Sequence, residues 1–297
     1  MERGVRDAPA VAADNEETRE AWNGVLFDRF GEFREVIAGS LGAHGREALR
    51  LHPPAPGERV LDLGCGFGDT TQEIARMVGA GGSALGVDVA ERFIATARAE
   101  AGEAGLGNVA FEVADVQTTE FEPEFNRAFS RFGTMFFANP VAALRNVRAG
   151  LVPGGRLCMV VWRRKLDNQW LHRAELAVEG FLAEPEDSDE PTCGPGPFSM
   201  AGADTTSEIL VHAGFEQIAL RRCDIVVNIG RDLGRAVHLM MSIGPAGEII
   251  RLSGDDAERI RPKLESAIGD ALADYVTPQG VFAPSSTWIV TATAPAG

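Results

Sequence analysis

The chain has 297 residues, 45% of them apolar and 24% charged, with a formal net charge of −15; this is an ordinary globular composition with enough length for a large core. The acidic balance, with no basic run beyond Arg163-Arg164-Lys165, argues against a nucleic-acid partner, whose affinity comes from neutralised phosphates, and against an anionic membrane surface. Four scattered cysteines (65, 158, 193 and 223) make no CxxC pair and have no histidine at ligand spacing, so no disulfide framework and no metal site is expected.

Residues 1–15 read as a disordered N-terminus, and the charged first twenty residues lack the apolar stretch of a signal peptide. No apolar run reaches bilayer-spanning length, and a cytoplasmic protein is expected. Over 16–52, Trp22, Leu26, Phe30, Phe33, Val36, Ile37, Leu41 and Leu49 recur at near-helical spacing, which predicts two or three helices. The proline-rich His52–Gly57 ends them and opens a core unit over 53–162.

That core begins with an apolar strand, Arg59 to Leu63, which runs into Gly64-Cys65-Gly66-Phe67-Gly68 and a helix opening at Asp69-Thr70. Glycines at alternate positions let the backbone turn tightly and approach a ligand closely. A dinucleotide-binding loop would carry its third glycine at position 69, where this chain has aspartate. Asp62 and Asp69 at the two ends of the loop instead suit a ligand rich in amine and hydroxyl donors. Further strands are expected at Ser83–Asp88, Val109–Val113, Arg127–Ser130 and Arg156–Trp162, with helices Ala90–Ala104 and Pro140–Gly150 between them. Strand–helix alternation of this kind predicts a doubly wound parallel α/β sheet that binds ligands at its carboxyl edge, where Asp62, Asp88 and Asp115 would all lie.

Residues 163–297 are expected to complete a seven-stranded sheet, with two insertions over 166–204 and 225–252. Leu166–Leu182 is a predicted amphipathic helix, followed by an acidic, proline- and glycine-rich loop. Helix Asp204–Ala213 and strand Phe215–Leu220 come next, then a glycine-punctuated apolar cap, helix Asp255–Ala273 and a last strand Thr287–Ala292.

The acidic-x-Gly-x-Gly-x-Gly pattern, followed by strand-end acids at 88 and 115, resembles the class I S-adenosylmethionine (AdoMet) methyltransferases, in particular their ubiquinone/menaquinone-methyltransferase-like small-molecule branch. Phe129–Phe137 and Leu151–Leu157 resemble that branch's fourth- and fifth-strand motifs. Ala21-Trp22-Asn23-Gly24 and Gly194–Phe198 resemble a bacterial subgroup whose N-terminal helices close over the cofactor. Asn126-Arg127 departs from the aspartate that usually opens the fourth strand. The resemblance implies a Rossmann-like methyltransferase fold, AdoMet as cofactor and S-adenosyl-L-homocysteine as product. By it, Gly64, Gly66 and Gly68 cradle the methionine part, whose charged groups fall to Asp62 and Asp69-Thr70. Asp88, with Val89 beside it, takes the ribose, Asp115 and Val116 the adenine, and Ser130 and Arg131 line the methyl-transfer face. Trp22 covers the cofactor.

Methyl transfer from a sulfonium is an in-line displacement that needs a base only when the acceptor arrives protonated. His172 and His238 are the candidate bases, with ordinary packing or surface roles as the alternative. Met135, Phe136, Phe137, Trp170, Leu239, Met240 and Met241 form a candidate apolar acceptor pocket or, equally, core. The expected partner is a small apolar or aromatic acceptor methylated at O, N or C, and a homodimer is compatible with this reading. A cofactor-binding protein, or a cyclase, decarboxylase or carboxymethyl transferase on the same fold, is the alternative.

Overall fold

The computed structural model describes residues 15–182 and 195–296. The expected disordered segment over 1–15 lies almost wholly outside these residues, as does much of the acidic loop after Leu182. Three short helices, α1 (Glu16–Asn23), α2 (Val25–Glu32) and α3 (Gly42–Leu51), precede the sheet, with a π-helical turn over Glu35–Ser40 between the last two.

The sheet then alternates with helices: β1 (Arg59–Leu63), α4 (Asp69–Val78), β2 (Ser83–Asp88), α5 (Glu91–Glu103), β3 (Val109–Val113), β4 (Phe125–Arg131), α6 (Pro140–Gly150) and β5 (Leu151–Trp162). After α7 (Gln169–Glu179) and α8 (Ala203–His212) come β6 (Glu216–Gly230), α9 (Leu233–Ser242), α10 (Gly244–Leu272), β7 (Val276–Thr277) and β8 (Gly280–Thr293). The strand order is β3-β2-β1-β4-β5-β8-β6, with the two-residue β7 off the path as a hairpin partner of β8. β1 to β5 pair in parallel and β8 enters antiparallel between β5 and β6. β1 is buried at every position after Arg59, as a strand covered by helices on both faces must be. Asn126, the departure at the opening of β4, accepts from the Arg59 N–H through Oδ1 at 2.8 Å, so it ties two strand starts together.

The C-terminal part differs from the sequence reading in its boundaries. The stretch expected as a cap over 225–252 begins as sheet, because β6 continues to Gly230 in register with β8. Its inward residues Cys223, Val227 and Ile229 are buried, a strand-like spacing that the charged run Arg221–Asp224 interrupts. Only from Leu233 does the chain become helical. α10 bends at Gly254 (φ 50°, ψ −123°), a conformation open to glycine and costly for other residues.

Candidate active site

The site is built on the carboxyl edge of β1, where the chain must reverse into α4. Gly64, Gly66 and Gly68 have φ of 63°, 54° and 76°. A Cβ on Gly64 would stand 2.9 Å from the Gly133 Cα, and one on Gly68 would stand 2.6 Å from the Phe111 ring. At Gly66 the nearest neighbour would be 3.9 Å away. The outer glycines are therefore fixed by packing, and the middle one leaves an open face.

Across that face stands Asp88 at the end of β2. One carboxylate oxygen accepts from the Gly66 N–H and the other from the Ala90 N–H, each at 3.0 Å. Burial raises its pKa, while the backbone donors of Ala90, Gly66 and Val89 pull the other way. An ionised carboxylate has about four lone-pair sites, so acceptor capacity is left for a ligand diol. Further along the edge, Asp115 Oδ1 accepts from the Gln117 N–H at 2.9 Å, holding the turn that carries the buried Val116. Two buried polar atoms here, Gln117 Nε2 and Thr134 Oγ1, have no hydrogen-bond partner among the described residues. Such atoms are costly unless a ligand or water satisfies them. Phe132, at the end of β4, holds a left-handed φ of 62° while stacked 4.5 Å from Trp162, strain of the sort that collects at functional sites.

The remaining strand-end groups brace this edge in the structure. Asp62 is buried and accepts from Thr71 Oγ1 at 2.6 Å; burial pushes its pKa up to about 7, against the Thr71 bond and the Arg131 charge. Ser130 Oγ donates to the Leu63 carbonyl at 2.9 Å, joining β4 to the start of the glycine loop. Arg131 reaches Thr70 Oγ1 at 3.2 Å and the Ile37 carbonyl at 3.1 Å. Arg34 bonds Asp69 at 2.8 Å and Glu100 at 2.7 Å, with its guanidinium 4.5 Å over the Phe67 ring. Asp69, Thr70 and Arg131 thus carry the N-terminal helices onto the loop, a role sequence inspection did not show because Arg34 lies far from its partners in sequence.

An aromatic cover completes the edge. Trp22 of α1 meets Phe30, Phe93 and Phe136 edge-on at 4.9, 6.2 and 5.1 Å. Phe27 of α2 meets Phe67 and Phe93 at 5.5 and 4.9 Å, and Arg92 stacks over it at 4.0 Å. Phe93 follows the Asp88 turn and Phe136 follows β4, so Trp22 spans the mouth between them.

The two candidate bases have local partners of their own. His172, on α7, has Nδ1 3.5 Å from Glu175, which Lys165 holds at 2.6 Å. His238, on α9, sits 3.5 Å from Glu32 and edge-on to Phe33. None of these contacts reaches the glycine loop. Of the candidate acceptor-pocket residues, Met135, Trp170, Leu239, Met240 and Met241 are buried in the core. Phe136 and Phe137 are half-buried against it. A third histidine, His44, is fully buried under β8. Among the described residues no cluster of acids, histidines and cysteines could hold a metal, and no helix is long and apolar enough to cross a membrane.

A five-strand parallel run closed by an antiparallel β8, with a glycine loop after β1 and a carboxylate ending β2, defines a Rossmann-like methyltransferase fold. Comparison with known proteins finds methyltransferases among those it resembles. Residues 54–189 match the family model described as a methyltransferase domain. It is 37% identical over 114 residues to the aklanonic acid methyltransferase DauC of Streptomyces sp. (strain C5), covering 38% of this chain and 52% of that protein. It is 35% identical over 149 residues to the ubiquinone/menaquinone biosynthesis C-methyltransferase UbiE of Teredinibacter turnerae, covering 49% of this chain and 59% of that protein. The chain therefore spans little more than half the length of these curated relatives. Its fold is also that of Haemonchus contortus phosphoethanolamine N-methyltransferase 2 solved with S-adenosyl-L-methionine, at a TM-score of 0.57 and 18% identity over 96% of this chain and 61% of that one.

Proposed function

We propose that the protein is an AdoMet-dependent methyltransferase acting on a small organic acceptor, with the cofactor held at the carboxyl edge of β1, β2 and β3. The observation that carries this reading is Asp88, turned across the open face of Gly66 with acceptor capacity to spare. The donor set fits the cofactor: a carboxylate for a ribose diol, a glycine face for the amino-acid part, and the turn at Asp115–Val116 with the unsatisfied Gln117 amide for the base. When bound, the cofactor supplies an electrophilic methyl group on a sulfonium. The chain's own task is to orient the acceptor in line and exclude water. Trp22, Phe30, Phe93 and Phe136 perform the exclusion from above. Below, Ser130 and Arg131 fix the height of β4 against the loop. The acceptor class rests on likeness to the aklanonic acid methyltransferase DauC and the ubiquinone/menaquinone C-methyltransferase UbiE, both named for small-molecule chemistry.

Calorimetric titration with AdoMet and S-adenosyl-L-homocysteine tests the reading, with Asp88→Ala as the control. Binding to the native protein that weakens by about 100-fold or more in Asp88→Ala is expected, since a charge-assisted pair of bonds is lost from a buried position. Equal binding by both proteins would remove Asp88 from the site, and no binding by a folded native protein would remove the cofactor.

A further inference from the structure

A second concavity lies on the other side of α2 from the cofactor edge. α9 and the limb of α10 beyond Gly254 enclose a groove of about 720 Å³ whose floor includes Leu233, Val237 and Met241. A smaller cavity of about 310 Å³ continues it past the Gly254 bend to Arg29 of α2, and the two share His238, Met241 and Arg261. Each falls in the size range of small-molecule sites.

The charges around this space are unevenly paired. Arg251 bonds Glu248 at 2.6 Å, and Arg261 lies 3.0 Å from Glu258 and 3.5 Å from Glu265. His238 is paired with Glu32. Asp255 stands on the exposed rim. Arg29, half-buried, makes no ion pair within 4 Å among the described residues; burial lowers its pKa and the like charge of Arg251 adds to this, while the Glu248 carboxylate, itself bonded to Arg251, opposes it. The same helix turns Phe27 toward the cofactor edge, so Arg29 is held on the groove side by the packing of its neighbours. A partly desolvated guanidinium with no carboxylate bonded to it is unfavourable, and its planar fork matches a carboxylate bidentately.

We propose that this groove is a binding site for a small hydrophobic carboxylic acid, with its carboxylate on Arg29 and its apolar body along Met241 and Val237. The site is independent of the cofactor reading: it uses none of the glycine-loop residues.

The test titrates 1-naphthoate, with 1-naphthalenemethanol as its uncharged counterpart, into the full chain labelled with ¹³C at the methionine methyls. Naphthoate is expected to move the Met241 methyl resonance, assigned with Met241→Leu, by ring-current shift. Its affinity is expected to fall at least about tenfold in Arg29→Gln, to a level the alcohol already shows with the native protein. Arg29→Lys, which keeps charge without the fork, is expected to fall in between and guards against a Gln variant that fails to fold. The proposal is overturned by equal naphthoate affinity in the native and Arg29→Gln proteins, by an alcohol that binds as well as the acid, by shifts confined to other methionines, or by no naphthoate binding at millimolar concentration. AdoMet titrated into the same samples reads the other site: its failure to bind would count against the cofactor and not against the groove.

Discussion

His44 gives a stability prediction whose size follows from its surroundings. The ring is fully buried, with Nε2 2.9 Å from Ser285 Oγ and Nδ1 3.0 Å from Thr287 Oγ1. Phe132 and Trp162 meet it edge-on at 6.2 and 6.1 Å. Burial pushes its pKa down to about 4, with Asp224 opposing the shift and Arg131 adding to it. The unfolded chain, near the ordinary value of about 6.5, therefore takes up the proton first as pH falls. Stability from His44 is complete above about pH 6.5, is lost as pH drops toward 4, and amounts to roughly 3 kcal/mol across that window. Between pH 7.5 and pH 5 the loss is about 2 kcal/mol. Asp62 works in the opposite direction, because its raised pKa of about 7 makes the folded state the better proton binder. The raw pH profile of the native protein mixes the two, so the comparison is with His44→Gln, which keeps an amide for the hydroxyls and removes the titration. Urea unfolding followed by tryptophan fluorescence at pH 5, 6 and 7.5 should show the native protein losing about 2 kcal/mol more than the variant over that range. Parallel stability profiles would refute the assignment of a neutral, buried His44.

Two glycine substitutions should separate packing from ligand contact. Gly68→Ala places a Cβ 2.6 Å from the Phe111 ring and should cost about 2–3 kcal/mol in chemical denaturation. Gly66→Ala meets nothing closer than 3.9 Å, should cost only about 1 kcal/mol from its left-handed backbone, and should lose most cofactor affinity in calorimetry. If the two variants lose stability and affinity in the same proportion, the open face at Gly66 is not a ligand surface. Arg34→Ala removes the bonds to Asp69 and Glu100 and the stacking on Phe67. It should lower stability by about 1–2 kcal/mol and speed cleavage within residues 16–40 in limited proteolysis, and unchanged cleavage would show that the aromatic contacts alone hold those helices down.

The sheet was legible because each parallel strand is short, apolar and bounded by a helix with its own periodicity. The strand-end acids were legible for a related reason: β1, β2 and β3 cannot continue past Leu63, Asp88 and Val113, so a carboxylate there is held at the carboxyl edge by the backbone alone. The same logic fails once a residue's setting depends on a partner far along the chain. His44 carries no signal in the sequence because Ser285 and Thr287, which close its ring, are more than 240 positions away. Cys223, Val227 and Ile229 alternate as a strand should, but Arg221 to Asp224 reads as a break until β8 supplies the pairing that carries the charges outward. Apolar type does not distinguish a pocket from a core, and Met135, Trp170 and Met240 proved to be core, each at most 2% exposed. Arg29 shows the converse. On a helical wheel it is one more charged residue on a solvent face, and only the approach of α9 and α10 in three dimensions turns that face inward. Where α2 carries rings on one side and a guanidinium with no bonded carboxylate on the other, one short helix borders both spaces, so a shift of α2 would alter the cover of the cofactor edge and the wall of the groove together.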